Sequence, residues 1–387
     1  SKGEILVFSY IGYTTKEVVI NNANALTVKL DEDTLSLDEV VVVGYGTQKK
    51  SVVTGAISSV KAEDLEGLPV ERVEQALQGR VSGVVIAADA GQPGSSSTVR
   101  VRGITTLGNN NPLWVIDGVV VDAGGIGYLN QSDIASIEVL KDAASLAIYG
   151  ARSAGGVILV TTKKGKIGKL NVSYTGFTGI SAASKKLSLL NAAEYGAVLN
   201  EASVADGGGV IFPDVSSLGV GTNWQDVIFN DSAMRSSHEI SLSGGNDVST
   251  FFASFGLSDQ EGIVMSEVSQ FNKKNIRLNS THKLSDVFKV GQTLGYAHKR
   301  SMGIGTNSEY GGPLSSAINL DPITPVVVTD PVIANGAPYS TQNVFRDENG
   351  NPYGISNWVG QEMTNPLADI QRSIGNYGWS DDLVGNA

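Results

Sequence analysis

From residue 166 onward, apolar side chains recur at every second position of the sequence. This period is typical of β-strands whose two faces meet different surroundings. In the clearest run, Phe251, Phe255 and Leu257 alternate with small or polar residues such as Ser254 and Gly256. The same pattern predicts five strands, around 170–175, 239–243, 250–257, 275–279 and 290–297, and the start of a sixth at 382–387. Each strand has one apolar face and one face of small or polar residues.

The connections between these strands alternate in length. The first, third and fifth take about 55, 15 and 80 residues, whereas the second and fourth are turns at 244–247 and 285–287. Long loops at one end and short turns at the other are typical of an outer-membrane β-barrel, with the short turns in the periplasm. A soluble sandwich would have shorter and less polarised loops.

The part of the chain before the barrel is of a different kind. Residues 51–165 mix short helices and strands and predict a compact α+β domain, with 157–162 as its most apolar strand. Ahead of it, residues 1–30 predict a few short strands, and the acidic stretch 31–38 predicts a linker. The linker leads to Val40–Val43, four β-branched residues that favour an extended backbone. On composition alone, this run is either an ordinary buried strand or an exposed strand that can pair with the edge of another sheet.

Several kinds of chemistry are missing from the sequence. The 387 residues include 39 acidic and 28 basic ones and no cysteine, which argues against nucleic-acid binding and against thiolate chemistry. The three histidines, His238, His282 and His298, have no metal-ligand spacing, and Asp347 with its neighbours is interpreted as a turn. The sequence therefore predicts no enzyme, no cofactor and no metal site.

The two ends of the chain suggest a longer polypeptide. No apolar run reaches the roughly 20 residues of a spanning helix, and residues 1–10 have no signal-peptide pattern. The chain opens within a predicted strand, and the barrel pattern stops after five or six strands. We therefore expect further residues on both sides.

Four segments resemble the SusC/RagA-type TonB-dependent outer-membrane transporters of Bacteroidetes. Residues 37–50 are similar to the TonB-box region of that family, and residues 1–30 to the end of the carboxypeptidase-regulatory-like domain before it. Residues 101–103 together with 111–119 resemble the plug motif, and 134–165 resemble the family's most characteristic signature. The resemblance is dense up to about residue 175 and thinner in the barrel.

This resemblance implies an α+β plug domain inside a transmembrane antiparallel β-barrel of about 22 strands, of which five or six are present here. The expected domains are 1–30, a carboxy-terminal remnant of the regulatory-like β-sandwich; 31–50, a linker with the TonB box; 51–165, the plug; and 166–387, the first part of the barrel with long extracellular loops.

The implied function is TonB-dependent import of a large nutrient, an oligosaccharide or oligopeptide, across the cell outer membrane. The implied partners are TonB with its ExbB/ExbD complex and a SusD-like surface lipoprotein, for which the loops 179–237 and 301–380 offer surfaces. The implied TonB box comprises Asp38, Glu39, Val40, Val41, Val42, Val43, Gly44 and Tyr45. A polar plug loop, Asn109, Asn110 and Asn111, is predicted to face the substrate.

Two other functions stay open on sequence grounds. One is an outer-membrane receptor whose main output is signalling, which would need a signalling domain ahead of the TonB box. The other is a secreted β-rich adhesin or carbohydrate-binding protein, which would leave the valine run and the α+β domain without an explanation.

Overall fold

The computed structural model describes residues 5–8, 16–19, 28–29, 40–43, 46–49, 57–65, 72–88, 90–104, 107–121, 123–142, 146–306, 311–360 and 363–386. The first two elements form an antiparallel hairpin, β1 (Ile5–Phe8) with β2 (Lys16–Val19). A second antiparallel hairpin follows, β3 (Val40–Val43) with β4 (Gly46–Lys49).

The predicted α+β domain, called the plug below, is built on one five-stranded sheet and one separate hairpin. Its elements are β5 (Ile57–Lys61), α1 (Ala62–Leu65), α2 (Val73–Ala76), β6 (Val84–Ala88), β7 (Ser97–Val101), β8 (Leu113–Ile116), β9 (Val119–Val121), β10 (Ile134–Leu140) and β11 (Val157–Thr162). The sheet has the order β5-β10-β11-β8-β9, and only β11 and β8 pair in parallel. Helices α1 and α2 of the plug are short, of four residues each, and β6 and β7 form the separate hairpin.

Both faces of the plug sheet are covered. Trp114, Ile137 and Ile158 lie in a large apolar cluster on one face, and Leu140 and Leu159 lie in a smaller cluster on the other. A strand buried on both faces needs apolar residues at nearly every position. This explains the continuous apolar run of β11, which the sequence predicts to be the most apolar strand of the domain.

The remainder of the chain forms a six-stranded antiparallel sheet, called the wall below, in which the strands follow chain order. The elements are β12 (Gly168–Ser181), α3 (Ala192–Ala205), α4 (Trp224–Ile228), β13 (Ala233–Gly245), β14 (Ser249–Glu261), β15 (Gln270–Lys283), β16 (Lys289–Met302), α5 (Pro313–Asn319), α6 (Pro331–Ala334), α7 (Pro366–Ser373) and β17 (Gly378–Asn386). The five predicted strands and the sixth are all present, each longer than the sequence pattern indicated.

The wall has the opposite polarity to a sheet of a soluble protein. Its apolar face is exposed, with 48% of Phe255 and 42% of Ile276 accessible. Its polar face is buried where the plug covers it, with Ser254 at 3% and Arg277 at 1% accessible. Such alternation, with apolar residues outward and polar residues inward, is the arrangement of a barrel wall that faces lipid.

The long loops at one end of the wall pack into one body, called the loop cap below. Its apolar core takes residues from three connections, among them Trp224, Val268, Leu320 and Ile370. The connection between β14 and β15 contributes only residues 262–269, fewer than predicted because both strands continue further. Over their described residues, the loops also hold five α-helices that the strand pattern did not predict. Within the described ranges, no helix is long and apolar enough to cross a membrane.

The outward apolar face gives a test of the wall. Replacing Leu278, which points outward in β15, with arginine puts a charge into the lipid-facing band. We expect Leu278→Arg to destabilise the protein folded in lipid vesicles, lowering its free energy of unfolding by about 2–4 kcal/mol. The matched control is Lys274→Arg, on the same face but already cationic, which should change it by less than about 0.5 kcal/mol. Equal stability of the two variants in urea titrations would contradict the lipid-facing assignment.

Candidate functional site

The hairpin of β8 and β9 is closed by a two-residue turn, Asp117-Gly118. Both residues have positive φ, 47° and 88°, and Ile116 pairs with Val119 across the turn. Positive φ at both central positions defines the type I′ turn, for which Asp-Gly is a preferred sequence. The local sequence therefore fixes a tight turn and places the Asp117 carboxylate at the end of the hairpin.

The Asp117 carboxylate takes part in the contact between plug and wall. Its Oδ1 accepts a hydrogen bond from the Thr162 backbone N–H at 3.0 Å, and its Oδ2 accepts one from the Thr162 hydroxyl. Arg277, from the inner face of β15, places Nη2 at 3.6 Å from Asp117 Oδ2. Arg277 also donates from Nη1 to the carbonyl of Lys163 at 2.9 Å, and from Nη2 to the Thr162 hydroxyl. One guanidinium thus links the turn, the end of β11 and the wall.

A second set of polar contacts follows the 3₁₀ turn Gln131–Asp133. The Ser254 hydroxyl donates to Asp133 Oδ1 at 2.6 Å, and the Asn130 side-chain amide donates to Glu239 Oε2 at 2.6 Å. Lys273 Nζ lies 3.4 Å from the Leu129 carbonyl oxygen. Together with the Arg277 contacts, these form a buried polar interface between plug and wall, called the seam below.

Burial changes the ionisation of two plug residues in the seam. Desolvation, reinforced by the negative charge of Glu239, raises the pKa of the Asp133 carboxyl to about 7. Burial also raises the pKa of the Tyr128 hydroxyl above its usual value, so this group is neutral at physiological pH. The seam therefore holds an acid that titrates near neutrality.

The loop at the tip of the β6–β7 hairpin contacts the wall and the loop cap. Gln92 donates from Nε2 to the Ile304 carbonyl at 2.6 Å, and the Gly94 N–H lies 3.4 Å from Gln260 Oε1. An open cleft of about 270 Å³ lies beside this tip, between residues 90–95 and 301–303. The sequence analysis did not single out this tip. Its only signal is the Gly91–Gly94 turn, which marks a bend and no chemistry.

The predicted substrate-facing loop forms a turn within the plug. Asn109 Oδ1 accepts from the Asn111 N–H at 2.8 Å, and Asn110 Nδ2 donates to the Gly108 carbonyl at 3.0 Å. Arg100 donates to the Asn111 side chain. Asn110 is buried, whereas Asn109 and Asn111 are exposed. The role of this loop toward substrate stays a prediction.

The predicted TonB box coincides in part with β3. Val40–Val43 are extended and pair with β4 of the same chain, with Val41 opposite Gln48. The other box residues, Asp38, Glu39, Gly44 and Tyr45, lie outside the described residues. The assignment of this segment as a TonB box stays a prediction.

The three histidines lie on strands of the wall, and Asp347 lies in a turn. His238 is in β13, His282 in β15 and His298 in β16. Asp347 Oδ1 accepts the backbone N–H groups of Asn349 and Asn351, at 3.0 and 2.7 Å, which agrees with the predicted turn. Among the residues that the structure describes, no group of three or more His, Asp or Glu could hold a metal ion.

Comparisons with known proteins agree with this architecture. The family model "TonB-dependent Receptor Plug Domain" matches residues 49–157. A TonB-dependent receptor of Formosa agariphila is 37% identical over 95% of this chain and 35% of its own length. The TonB-dependent receptor SusC of Bacteroides thetaiotaomicron is 33% identical over 100% of this chain and 38% of its own length.

A similar fold is found among solved structures. The RagAB peptide importer in its open-open state matches with a TM-score of 0.62 and 30% identity, over 70% of this chain and 33% of the solved chain. The chain thus spans about a third of the length of the curated relatives it matches. The relatives are receptors and an importer, in agreement with the expectation that the chain is not an enzyme.

The Arg277 contacts give a test of the seam. Arg277→Met leaves the largely buried Asp117 carboxylate without its cation, and breaking one side of a buried ion pair costs about 3–5 kcal/mol. We expect faster hydrogen exchange of the β8–β9 amides in the complete protein. The double variant Arg277→Met/Asp117→Asn should recover part of the protection, because the amide still accepts from Thr162 without carrying a charge.

Arg300→Met is the matched control for this test. Arg300 lies over the Tyr377 ring, 3.6 Å from its centroid, on the exposed side of the neighbouring strand β16. Its loss should leave exchange in the plug unchanged. Equal exchange rates in Arg277→Met and Arg300→Met would show that the seam does not hold the plug.

Proposed function

The chain is homologous to the amino-terminal third of the SusC/RagA-type TonB-dependent receptors of the outer membrane, and on that premise we propose that the complete protein imports a large nutrient across this membrane. The observation that carries the proposal is the seam. A folded plug lies against the polar inner face of a lipid-facing wall, and the contacts with Arg277, Ser254 and Glu239 are polar. Polar contacts can be exchanged for water, so a plug held in this way can move without unfolding.

We extend the proposal to energy coupling. TonB in the periplasm, driven by ExbB and ExbD, pulls on residues 38–45. The extended Val40–Val43 segment supports this, because a β-branched strand can pair with the edge of a partner sheet through its backbone. In the structure that edge is taken by β4, so recruitment of TonB would exchange one strand partner for another.

We also propose a SusD-like lipoprotein as the partner on the outer side. The loop cap supports this, because its folded loops present exposed apolar side chains such as Leu187, Leu189 and Ile318 beside a cleft of about 380 Å³. Exposed apolar patches of this kind mark interaction surfaces.

The proposed substrate is an oligosaccharide or an oligopeptide. A peptide is what the RagAB importer carries according to its name, and that likeness supports the peptide. Aromatic loop residues such as Trp358 and Phe212, whose rings lie 5.0 Å apart, suit stacking on sugar rings as well. Uptake assays with defined oligosaccharides and oligopeptides decide between the two.

Energy coupling is tested by proline in the box. Val41→Pro removes a backbone donor and restricts the residue before it, so it should block strand addition to TonB. We expect it to abolish growth on the nutrient that depends on this receptor, while expression, barrel folding and external binding stay normal. Val41→Ile, which keeps the β-branched backbone preference, should grow like the wild type. Normal growth of Val41→Pro would identify β3 as a structural strand only.

The lipoprotein partner is tested by purification. The complete receptor, tagged and extracted in mild detergent, should bring down one surface lipoprotein in about equal amounts. Truncating the exposed part of the loop cap should release it. If no such lipoprotein appears in cells that grow on the imported nutrient, the proposed partner is wrong, whereas the transport proposal would still stand on the proline test.

A further inference from the structure

Two buried carboxyl groups lie across the seam from each other, and the proposed import makes no use of their protonation. Asp133 is fully buried on the plug, and Glu239, on the inner face of β13, is 6% exposed. Their hydrogen-bond donors come from opposite sides: Ser254 of the wall donates to Asp133, and Asn130 of the plug donates to Glu239, each at 2.6 Å. Each acid thus accepts a hydrogen bond from the opposite side of the seam, and the negative charge of Glu239 acts on Asp133.

A glycine in the wall allows this close approach. Gly256 lies opposite Glu239 in the β13–β14 register. A Cβ at this position would lie 2.2 Å from Asn130 Nδ2 and 2.5 Å from Asn275 Oδ1. The Asn130 side chain of the plug therefore lies directly against the backbone of Gly256, and both acids are nearly inaccessible to water.

Two cations lie beside the two acids. Arg277 and Lys273 are nearly inaccessible to water, and their charges lower the pKa of Asp133. Arg277 is engaged with Asp117 and with the end of β11. Lys273 reaches the Leu129 carbonyl. Ionising both Asp133 and Glu239 therefore places two negative charges in a desolvated interface, and a single proton on the pair removes one of them.

We propose that the seam holds one proton on the Asp133–Glu239 pair, and that losing this proton loosens the plug from the wall. Asp133 Oδ2 is buried and has no hydrogen-bond partner among the described residues, so it is the oxygen with room for the proton. On release the proton passes to water and its bonding electrons stay on the carboxylate. Two carboxylates then face each other across the contact and repel.

The surroundings of Asp133 support this assignment. Burial and the charge of Glu239 favour the protonated acid, whereas the Ser254 hydroxyl, Arg277 and Lys273 favour the carboxylate; the balance raises the pKa of Asp133 to about 7. The nearby Tyr128 hydroxyl is neutral and adds no charge. Because the pKa is higher in the attached state than in water, protonation stabilises attachment, and this stabilisation is lost as the pH rises through 7.

Hydrogen exchange of the complete protein in detergent tests the proposal. Protection of the amides of residues 126–141, corrected for intrinsic exchange, should fall about tenfold between pH 6 and pH 8. Asp133→Asn should reduce this change to less than about twofold, because it removes the acid whose pKa lies near 7. Glu239→Gln should reduce the change only in part, because the burial of Asp133 remains when the neighbouring charge is gone. Asp247→Asn, at an exposed acid in the β13–β14 turn, should behave like the wild type.

Infrared spectroscopy supplies a second measurement that does not depend on plug motion. A carbonyl band of a protonated carboxylic acid that is present at pH 6 and lost by pH 8 should be seen in the wild type, and this pH-dependent band should be missing from Asp133→Asn. A wild type whose protection does not change between pH 6 and 8, or an Asp133→Asn variant that keeps the change, would overturn the proposal. Because neither readout is uptake, such a failure would leave the proposed import function as it stands.

Discussion

The buried guanidinium of Arg277 joins parts of the chain that are distant in sequence. It contacts the Asp117 turn, the Thr162 hydroxyl 115 residues away, and the Lys163 carbonyl, where the plug ends and the chain enters the wall. A cation can be buried at this depth only when hydrogen bonds and a counter-charge replace its water. The Asp-Gly turn, the end of β11 and the position of β15 are therefore set together.

The side chains of the wall also need suitable partners, over a larger area than Arg277 does. Its inner side chains, such as Ser254, Asn279 and Lys273, are polar and buried, so they need polar partners on the plug or within the wall. Its outer side chains, such as Phe251 and Leu294, are apolar and exposed, so they need lipid. Water could satisfy the polar inner face but not the apolar outer one. The sheet therefore needs two different environments, a polar one on its inner side, which the plug supplies here, and the bilayer on its outer side.

Sequence reasoning located the strands but not their contacts. The alternation in β14 predicted a strand with two unlike faces, yet the alternation alone does not say that the Ser254 face is the buried one. The buried acid Asp133 was not singled out, because its partner Ser254 lies 121 residues further along the chain. The polar residues Asn109–Asn111 drew attention by composition, and their hydrogen bonds lie within the plug.

Helix α3 shows a second limit of pattern reading. The sequence contains its start signal, Asn191 and Glu194, which form a reciprocal capping box at 2.9 and 3.0 Å. Because strands of period two precede and follow it, this short capping signal was not interpreted as the start of a helix. The motif with Asp117-Gly118 was recognised by resemblance, and the structure adds its physical reasons: a type I′ turn and an anchor for Arg277.

The shared core of the loop cap has a consequence for the order in which this region folds. Trp224 donates from its indole N–H to the Asp321 carbonyl at 2.9 Å, across 97 residues, and Thr222 bonds to the Pro322 carbonyl at 2.8 Å. Closing so long a loop in a free chain costs entropy with no local contacts to offset it. Once strands β13 to β16 have paired, the two ends of that loop are only a few strand widths apart. We therefore expect the cap to become ordered after the strands of the wall have paired.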